Sequence, residues 1–263
     1  MNGRVLAVAG SDSGGGAGIQ ADIKTVFALG GYATTAITAV TAQDTFGVHA
    51  VHPVPAAFVQ AQMRAVLDDI GADAVKTGML GAAATVVAVC EMLEGRGLPL
   101  VVDPVMVAKG GTSLLTDAAI AALRGRLMPL AFVLTPNLPE AEALLGMAIP
   151  DEAAMHRAAM ALRALGPAAV LLKGGHLPGD SVVDVMASEA GTVAFRAPRI
   201  ATRHTHGTGC TLASAIATGI AQGMALAGSV ARARAYVRAA MASAPGLGGG
   251  HGPLNHAVKL SGQ

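Results

Sequence analysis

The chain has no tryptophan, two tyrosines and five phenylalanines, so aromatic side chains make up only 3% of its 263 residues. With a net charge of +1 and no Lys/Arg cluster, it lacks both the stacking platform and the electrostatic footprint of a nucleic-acid binder. Charged residues are scarce at 13% against 52% hydrophobic. Even so, no apolar run reaches the roughly eighteen uninterrupted residues that a membrane helix needs. Two cysteines, Cys90 and Cys210, are too few for a disulfide framework. Cys90 lies in "TVVAVCEML" and reads as a small core residue, and both thiols read as reduced. Glycines and an aspartate follow too soon in "MNGRVLAVAGSDSGGG" for a signal-peptide core, so the cytoplasm is the expected compartment. Also missing are the G-x-x-x-x-G-K-[ST] phosphate loop and the C-x-x-C and H-E-x-x-H patterns of common zinc sites.

What the sequence does contain is alternation. Short apolar runs such as "RVLAVAG", "ATTAITAV", "ADAVKTG", "LPLVVDPV", "AFVLTPN" and "AAVLLKGGH" are interleaved with helical patterns, which predicts parallel βαβ units with strands buried on both faces. The expected fold is one α/β domain over 1–263. In the first helix Ile19, Ile23, Val26 and Phe27 form an apolar stripe, with Gln20, Asp22 and Lys24 off it. "SVVDVMAS" and "TVAFRAPRI", joined by a turn at Glu189–Gly191, predict a C-terminal hairpin. The glycine-rich stretch 244–253 reads as a mobile loop before a short tail. In open sheets ligands sit beyond the carboxyl ends of the strands, where this chain places "GSDSGGGAG", "TAQDTFG", "KTGML", "DPVM", "TPNLPEAE" and "KGGH". These segments are expected to converge on one cleft.

The segment "HTHGTGCTLASAIATG" runs from a glycine turn into an apolar helix. The N–H groups of Gly207, Thr208 and Gly209, together with the helix dipole, form an expected anion hole, and Cys210 beside them is expected to have a lowered pKa and to act as a base. The alternatives are a structural turn with a packed thiol, or a metal held by His204, His206 and Cys210. A hydrogen-bonding or solvent-facing pair of histidines suits that segment better than zinc, which wants four ligands at closer spacing. "GAGIQA" fits a dinucleotide G-x-G-x-x-A pattern, but no acid precedes Asp44 at the end of the second strand, so an NAD(P)-dependent oxidoreductase is the weaker reading. Asp22 is read at the first exposed turn of its helix. Asp103 and Glu140 each follow a buried strand, where a carboxylate pair suits magnesium bridged to phosphates, or else caps a turn or helix. Lys173 ends a strand and suits phosphate charge, and Lys109 sits in a glycine loop as a clamp or a surface charge.

Taken in order, "AGSDSGGGAGIQADIKT", "AITAVTAQDTFGV", "VKTGML", "VVDPVM", "TPNLPEAE", "LLKGGH" and "HGTGCTLASAIA" resemble the hydroxymethylpyrimidine/phosphomethylpyrimidine kinases of the ribokinase superfamily, from about residue 4 to about residue 243. The resemblance implies a three-layer αβα sandwich with a mostly parallel central sheet, and ATP with Mg2+ as cofactors. It also implies an aminopyrimidine alcohol and its phosphate as acceptors, and a homodimer. Cys210 stands where the superfamily usually has an aspartate base, and Asp22 of the "QAD" motif is the second catalytic candidate. Gln43 would bond the aminopyrimidine edge, Gly10 and Met79 would shape the ring pocket, and Asn137 and Lys173 would lie near the nucleotide phosphates. Asp103 and Glu140 would organise the magnesium. The chain departs from the family pattern in "SDSGGG" and at His204, where asparagine is common. Relatives with the same cysteine phosphorylate pyridoxal or pyridoxine, which makes a pyridoxal kinase the second reading.

Overall fold

The computed structural model describes residues 1–106 and 116–259. Lys109 lies outside the described residues. One sheet of nine strands runs through them in the order β3-β2-β1-β4-β5-β6-β7-β8-β9. Strands β1 (Arg4–Asp12), β2 (Tyr32–Gln43), β4 (Ala74–Thr77), β5 (Leu100–Val102), β6 (Val133–Leu134) and β7 (Ala169–Leu172) are parallel. Each comes from an apolar run of the sequence, because a strand covered on both faces needs apolar residues at successive positions rather than alternate ones. The expected hairpin is present as β8 (Ser181–Ser188) and β9 (Gly191–Pro198), with β8 antiparallel to β7.

The opposite edge strand, β3 (Val48–Pro53), is antiparallel to β2 and almost wholly exposed, and the apolar runs did not predict it. Helices cover both faces. On one, α1 (Gly18–Ala28), α7 (Thr208–Ala221) and α8 (Leu226–Ala242) enclose a core that includes Val26, Ile216 and Tyr236. On the other, α2 (Ala56–Asp69), α3 (Ala83–Leu93), α4 (Asp117–Ala122), α5 (Leu138–Leu145) and α6 (Glu152–Arg163) enclose Met63, Val89, Leu144 and Met155. Cys90 is fully buried there, as expected.

The expected stripe of α1 is corrected. Ile23 is 41% and Phe27 67% exposed, while Ile19, Ala21, Asp22, Thr25 and Val26 are buried. The helix packs against the small residues of α7 and turns a carboxylate inward, because that carboxylate has a partner in the interior. The glycine-rich segment 244–253 has anchor points as well. It is tied to the rest of the protein by His251 N–H to Thr45 O at 2.7 Å and by His206 N–H to Gly252 O at 3.2 Å.

Candidate active site

The carboxyl ends of the parallel strands open into one cleft of about 980 Å³. Gly10, Gln43 and Met79 line it, as do Asp103, Asn137, Glu140 and Lys173. The turn 207–210 forms another part of its wall. The residues that the family resemblance assigns to substrate, nucleotide and magnesium therefore share one cavity. Asp22 does not reach it.

Gly207 caps α7 with φ at 83°, and a Cβ there would lie 1.8 Å from Gly16 O, so only glycine lets the two loops meet. The first N–H groups of a helix have no intrahelical partner and point outward with the positive end of the dipole. Thr208 N–H is spent weakly on Thr205 O at 3.4 Å. Cys210, the third residue of α7, is partly open to the cleft although the protein surrounds its sulfur. The expected lowering of its pKa is overturned: burial pushes the thiol up to about 11, outweighing the nearby Lys76 ammonium and a hydrogen bond from Gly18 N–H. Desolvation of the thiolate is the larger effect here, and the sequence does not display it.

Behind Cys210 lies a buried polar cluster. Lys76 and Asp22 are both 0% exposed, with Lys76 Nζ at 2.8 Å from Asp22 Oδ1 and 3.0 Å from Oδ2. Ser214 of α7 donates its hydroxyl to Asp22 Oδ1 at 2.6 Å. Burial raises the Asp22 pKa while Lys76 and Ser214 draw it back. Burial alone would lower that of Lys76, but the charges of Asp22, Cys210 and Asp103 more than reverse it, keeping the ammonium protonated. Asp22 is thus no solvated acid at a helix start. Lys76 was missed in the sequence, although a lysine inside the apolar run "DAVKTG" signals a buried partner.

Against the 207–210 turn, where a Cβ on Gly209 would lie 3.4 Å from both Asp103 Oδ2 and Lys173 Nζ, Lys173 Nζ lies 2.9 Å from Asp103 Oδ1, which also accepts from Thr135 Oγ1 at 3.2 Å. Burial opposes the Lys173 charge, and Asp103 and Glu140 more than restore it. Asn137 and Glu140 form a capping box at the start of α5: Glu140 N–H donates to Asn137 Oδ1 at 2.9 Å, and Asn137 N–H to Glu140 Oε2 at 2.7 Å. Glu140 therefore caps a helix and also faces the cleft, and burial pushes its carboxyl up to about 7 against the pull of Lys173.

His206 is 6% exposed and not solvent-facing; its Nε2 sits 2.8 Å from Asp12 Oδ2. Asp12 also accepts from Gly14, Gly16 and Ala17 N–H at 2.8, 3.0 and 2.8 Å, and so shapes the first glycine loop. The sequence reading passed over this aspartate. Among the described residues, no group of three His, Cys, Asp or Glu side chains is placed to hold a metal. None of their helices is long and apolar enough to cross a membrane.

A sequence profile described as phosphomethylpyrimidine kinase aligns with residues 12–255. The chain belongs to that family. It is 52% identical over 256 residues to the hydroxymethylpyrimidine/phosphomethylpyrimidine kinase of Streptomyces coelicolor, covering 97% of this chain and 95% of that one. Identity is 55% over 255 residues to a thiamine biosynthesis bifunctional protein of Geobacter sulfurreducens, of which this chain spans 52% of the length and 97% of its own. The crystal structure of an ADP complex of Bacillus subtilis pyridoxal kinase superposes with a TM-score of 0.90 at 35% identity, over 97% of this chain and 98% of that one. The ribokinase-like αβα fold expected from the motifs is the fold of this phosphomethylpyrimidine kinase family member.

Proposed function

We propose that this kinase transfers the γ-phosphoryl group of ATP to 4-amino-5-hydroxymethyl-2-methylpyrimidine, and then to the monophosphate so formed, giving the pyrophosphate used to build thiamine. The observation that carries the reading is the meeting of Gln43, the 207–210 turn with Cys210, and the Asp103–Lys173 pair in one cleft of a chain about half identical to such kinases. In the first step the bond between Pγ and the β,γ-bridging oxygen breaks, a bond forms from Pγ to the hydroxymethyl oxygen, and ADP leaves. Phosphoryl transfer asks the protein chiefly for alignment and charge stabilisation. The N–H groups of 207–209 would meet the equatorial oxygens, while Lys173 and the Asn137 NH2 group hold the nucleotide phosphates. Cys210, once ionised to the thiolate, would take the hydroxyl proton late. Asp22 would act as a positioning residue, holding the Lys76 ammonium behind the sulfur. The second acceptor is a phosphate oxygen that carries no proton, so that step needs alignment alone.

Magnesium fits the donor set. Mg2+ is commonly held by one or two carboxylates with the remaining positions filled by water and phosphate, and Asp103 and Glu140 supply two on the wall of the cleft. There it would neutralise charge on the transferring group. A cytoplasmic homodimer belongs to the same reading; the exposed Ile23 and Phe27 of α1 and Tyr32 at the start of β2 support the self-association. Sedimentation at twice the chain mass checks it.

The pyridoxal kinase reading draws on the TM-score of 0.90 to the Bacillus subtilis enzyme. ADP release with magnesium-ATP and hydroxymethylpyrimidine, pyridoxal or no acceptor, with products identified by mass, separates the two. A doubly phosphorylated pyrimidine is expected, and turnover of pyridoxal alone would overturn the first reading.

A further inference from the structure

Among the described residues, no side chain caps the start of α7. Its N-cap is Gly207, where the backbone turns through a φ of 83°, and a glycine at such a point gives the first N–H groups no fixed tilt of their own. The anion hole must therefore be held from outside the helix. The first glycine loop supplies a rigid block for this, because its four consecutive N–H groups all end on Asp12: Gly14, Gly16 and Ala17 on the carboxylate at 2.8, 3.0 and 2.8 Å, and Gly15 on the carbonyl oxygen at 3.0 Å. Those amides are spent inside the protein, which leaves the 207–209 turn to meet a phosphate. The two loops are joined by His206, whose Nε2 lies 2.8 Å from Asp12 Oδ2. Burial works against the Asp12 charge, and hydrogen bonds from His206, Ala17 and Gly14 more than compensate, so the carboxylate stays ionised and Nε2 carries the shared hydrogen. The imidazole passes over Gly16, where a Cβ would come within 2.4 Å of its Cδ2, and Gly16 O in turn abuts Gly207. On its other side His206 N–H reaches Gly252 O at 3.2 Å.

We infer that Asp12 and His206 form a strut between the two glycine loops that aims the N–H groups of 207–209 at the transferring phosphoryl group. Both are positioning residues acting through Gly207. A hole displaced by the loss of the strut would meet the charge that builds on the equatorial oxygens less well, while the rest of the cleft would still bind ATP and acceptor. The loss therefore falls on kcat and not on KM. It also falls on both phosphorylations, since each passes through the same N–H groups. Cys210 differs in this respect, because it is needed only where the acceptor has a proton to lose. The inference rests on the two-step kinase reading for the acceptor, but not for the contact between Asp12 and His206.

A matched pair of variants tests the strut. His206→Gln can place an amide N–H where Nε2 stands, whereas His206→Asn offers the same amide on a side chain too short to reach Asp12. Single-turnover analysis with magnesium-ATP should show His206→Asn slower in both phosphorylations by about a hundredfold, as for an ångström of misplacement, with both KM values within about twofold of the parent. His206→Gln should recover most of that rate. An unchanged rate in His206→Asn, a His206→Gln as slow as His206→Asn, a loss confined to the first phosphorylation, or a loss confined to KM would each refute the positioning role. The contact itself is read without any acceptor. In protein labelled with 15N-histidine, the His206 ring signals are those missing from His206→Gln, and they should show hydrogen on Nε2; hydrogen on Nδ1 alone would overturn the strut whatever the substrate is. Turnover of pyridoxal with none of hydroxymethylpyrimidine would refute the pyrimidine reading instead, and the same comparison of Asn and Gln in kcat for pyridoxal would then decide the strut.

Discussion

Replacing Lys76 by methionine removes the ammonium from a carboxylate that has no route to water. Lys76 and Asp22 are both fully buried and bonded at 2.8 and 3.0 Å, and after the substitution only the Ser214 hydroxyl at 2.6 Å would remain on Asp22. Breaking one partner of such a pair costs about 3–5 kcal/mol, because the other charge stays buried and unpaired. At about 2–4 °C per kcal/mol for a chain of this size, the melting temperature should fall by roughly 10 °C. Asp22→Asn should cost a similar amount, since it strands the ammonium instead. The double variant Lys76→Met/Asp22→Asn buries no unpaired charge and should recover at least about 2 kcal/mol relative to the sum of the single variants. Urea unfolding followed by circular dichroism, with all four proteins measured at one pH, gives the cycle directly. If the double variant is as unstable as that sum, the two groups are not coupled and the account of the cluster is wrong. The same cycle reads the thiol: on a Cys90→Ala background, the pH midpoint of Cys210 alkylation should move upward in Lys76→Met, because the opposing positive charge is gone.

The raised Cys210 pKa predicts that kcat for the first phosphorylation climbs with pH from 7 to 9, by up to about tenfold per unit, while the second step, whose acceptor has no proton to lose, stays flat; parallel profiles would remove the thiolate from the mechanism. Cys210→Ala should lower the first-step kcat by about a hundredfold and spare the second, as resolved by single-turnover product analysis. Gln43→Ala should raise KM for the pyrimidine well beyond its effect on KM for ATP, and equal effects would exclude an edge contact. His256, buried against Thr211 Oγ1 at 2.9 Å, has its pKa lowered to about 4 from the usual 6.5. Its contribution is therefore complete above pH 6.5 and lost as the pH falls towards 4, about 3 kcal/mol in all. Acid titration of the unfolding free energy should show that loss, and His256→Gln should abolish it.

The parts of the fold that were legible are those set by local pattern. Six parallel strands follow from apolar runs, since burial on both faces leaves its mark at every position, and the hairpin follows from two alternating stretches around a turn. Glu140 was legible as a possible helix cap from its place after a buried strand, but its partner Asn137 was not read as one. The edge strand β3 was not, because its exposed residues carry no apolar run. The largest misreading, the buried face of α1, has a different origin. Asp22 scores as an outward-facing residue in any helical pattern, and only Lys76, fifty-four positions on, makes its burial favourable.

The same distance in sequence hides the Asp12–His206 pair, whose members lie 194 positions apart and which shapes both glycine loops. It also hides the sign of the Cys210 shift, because the helix dipole is a property of one segment while desolvation comes from everything packed around it. In this protein the residues lining the cleft are therefore found from local motifs. Their protonation and orientation are set by buried charges contributed from distant strands, so the chemistry of the cleft is decided one layer behind its wall.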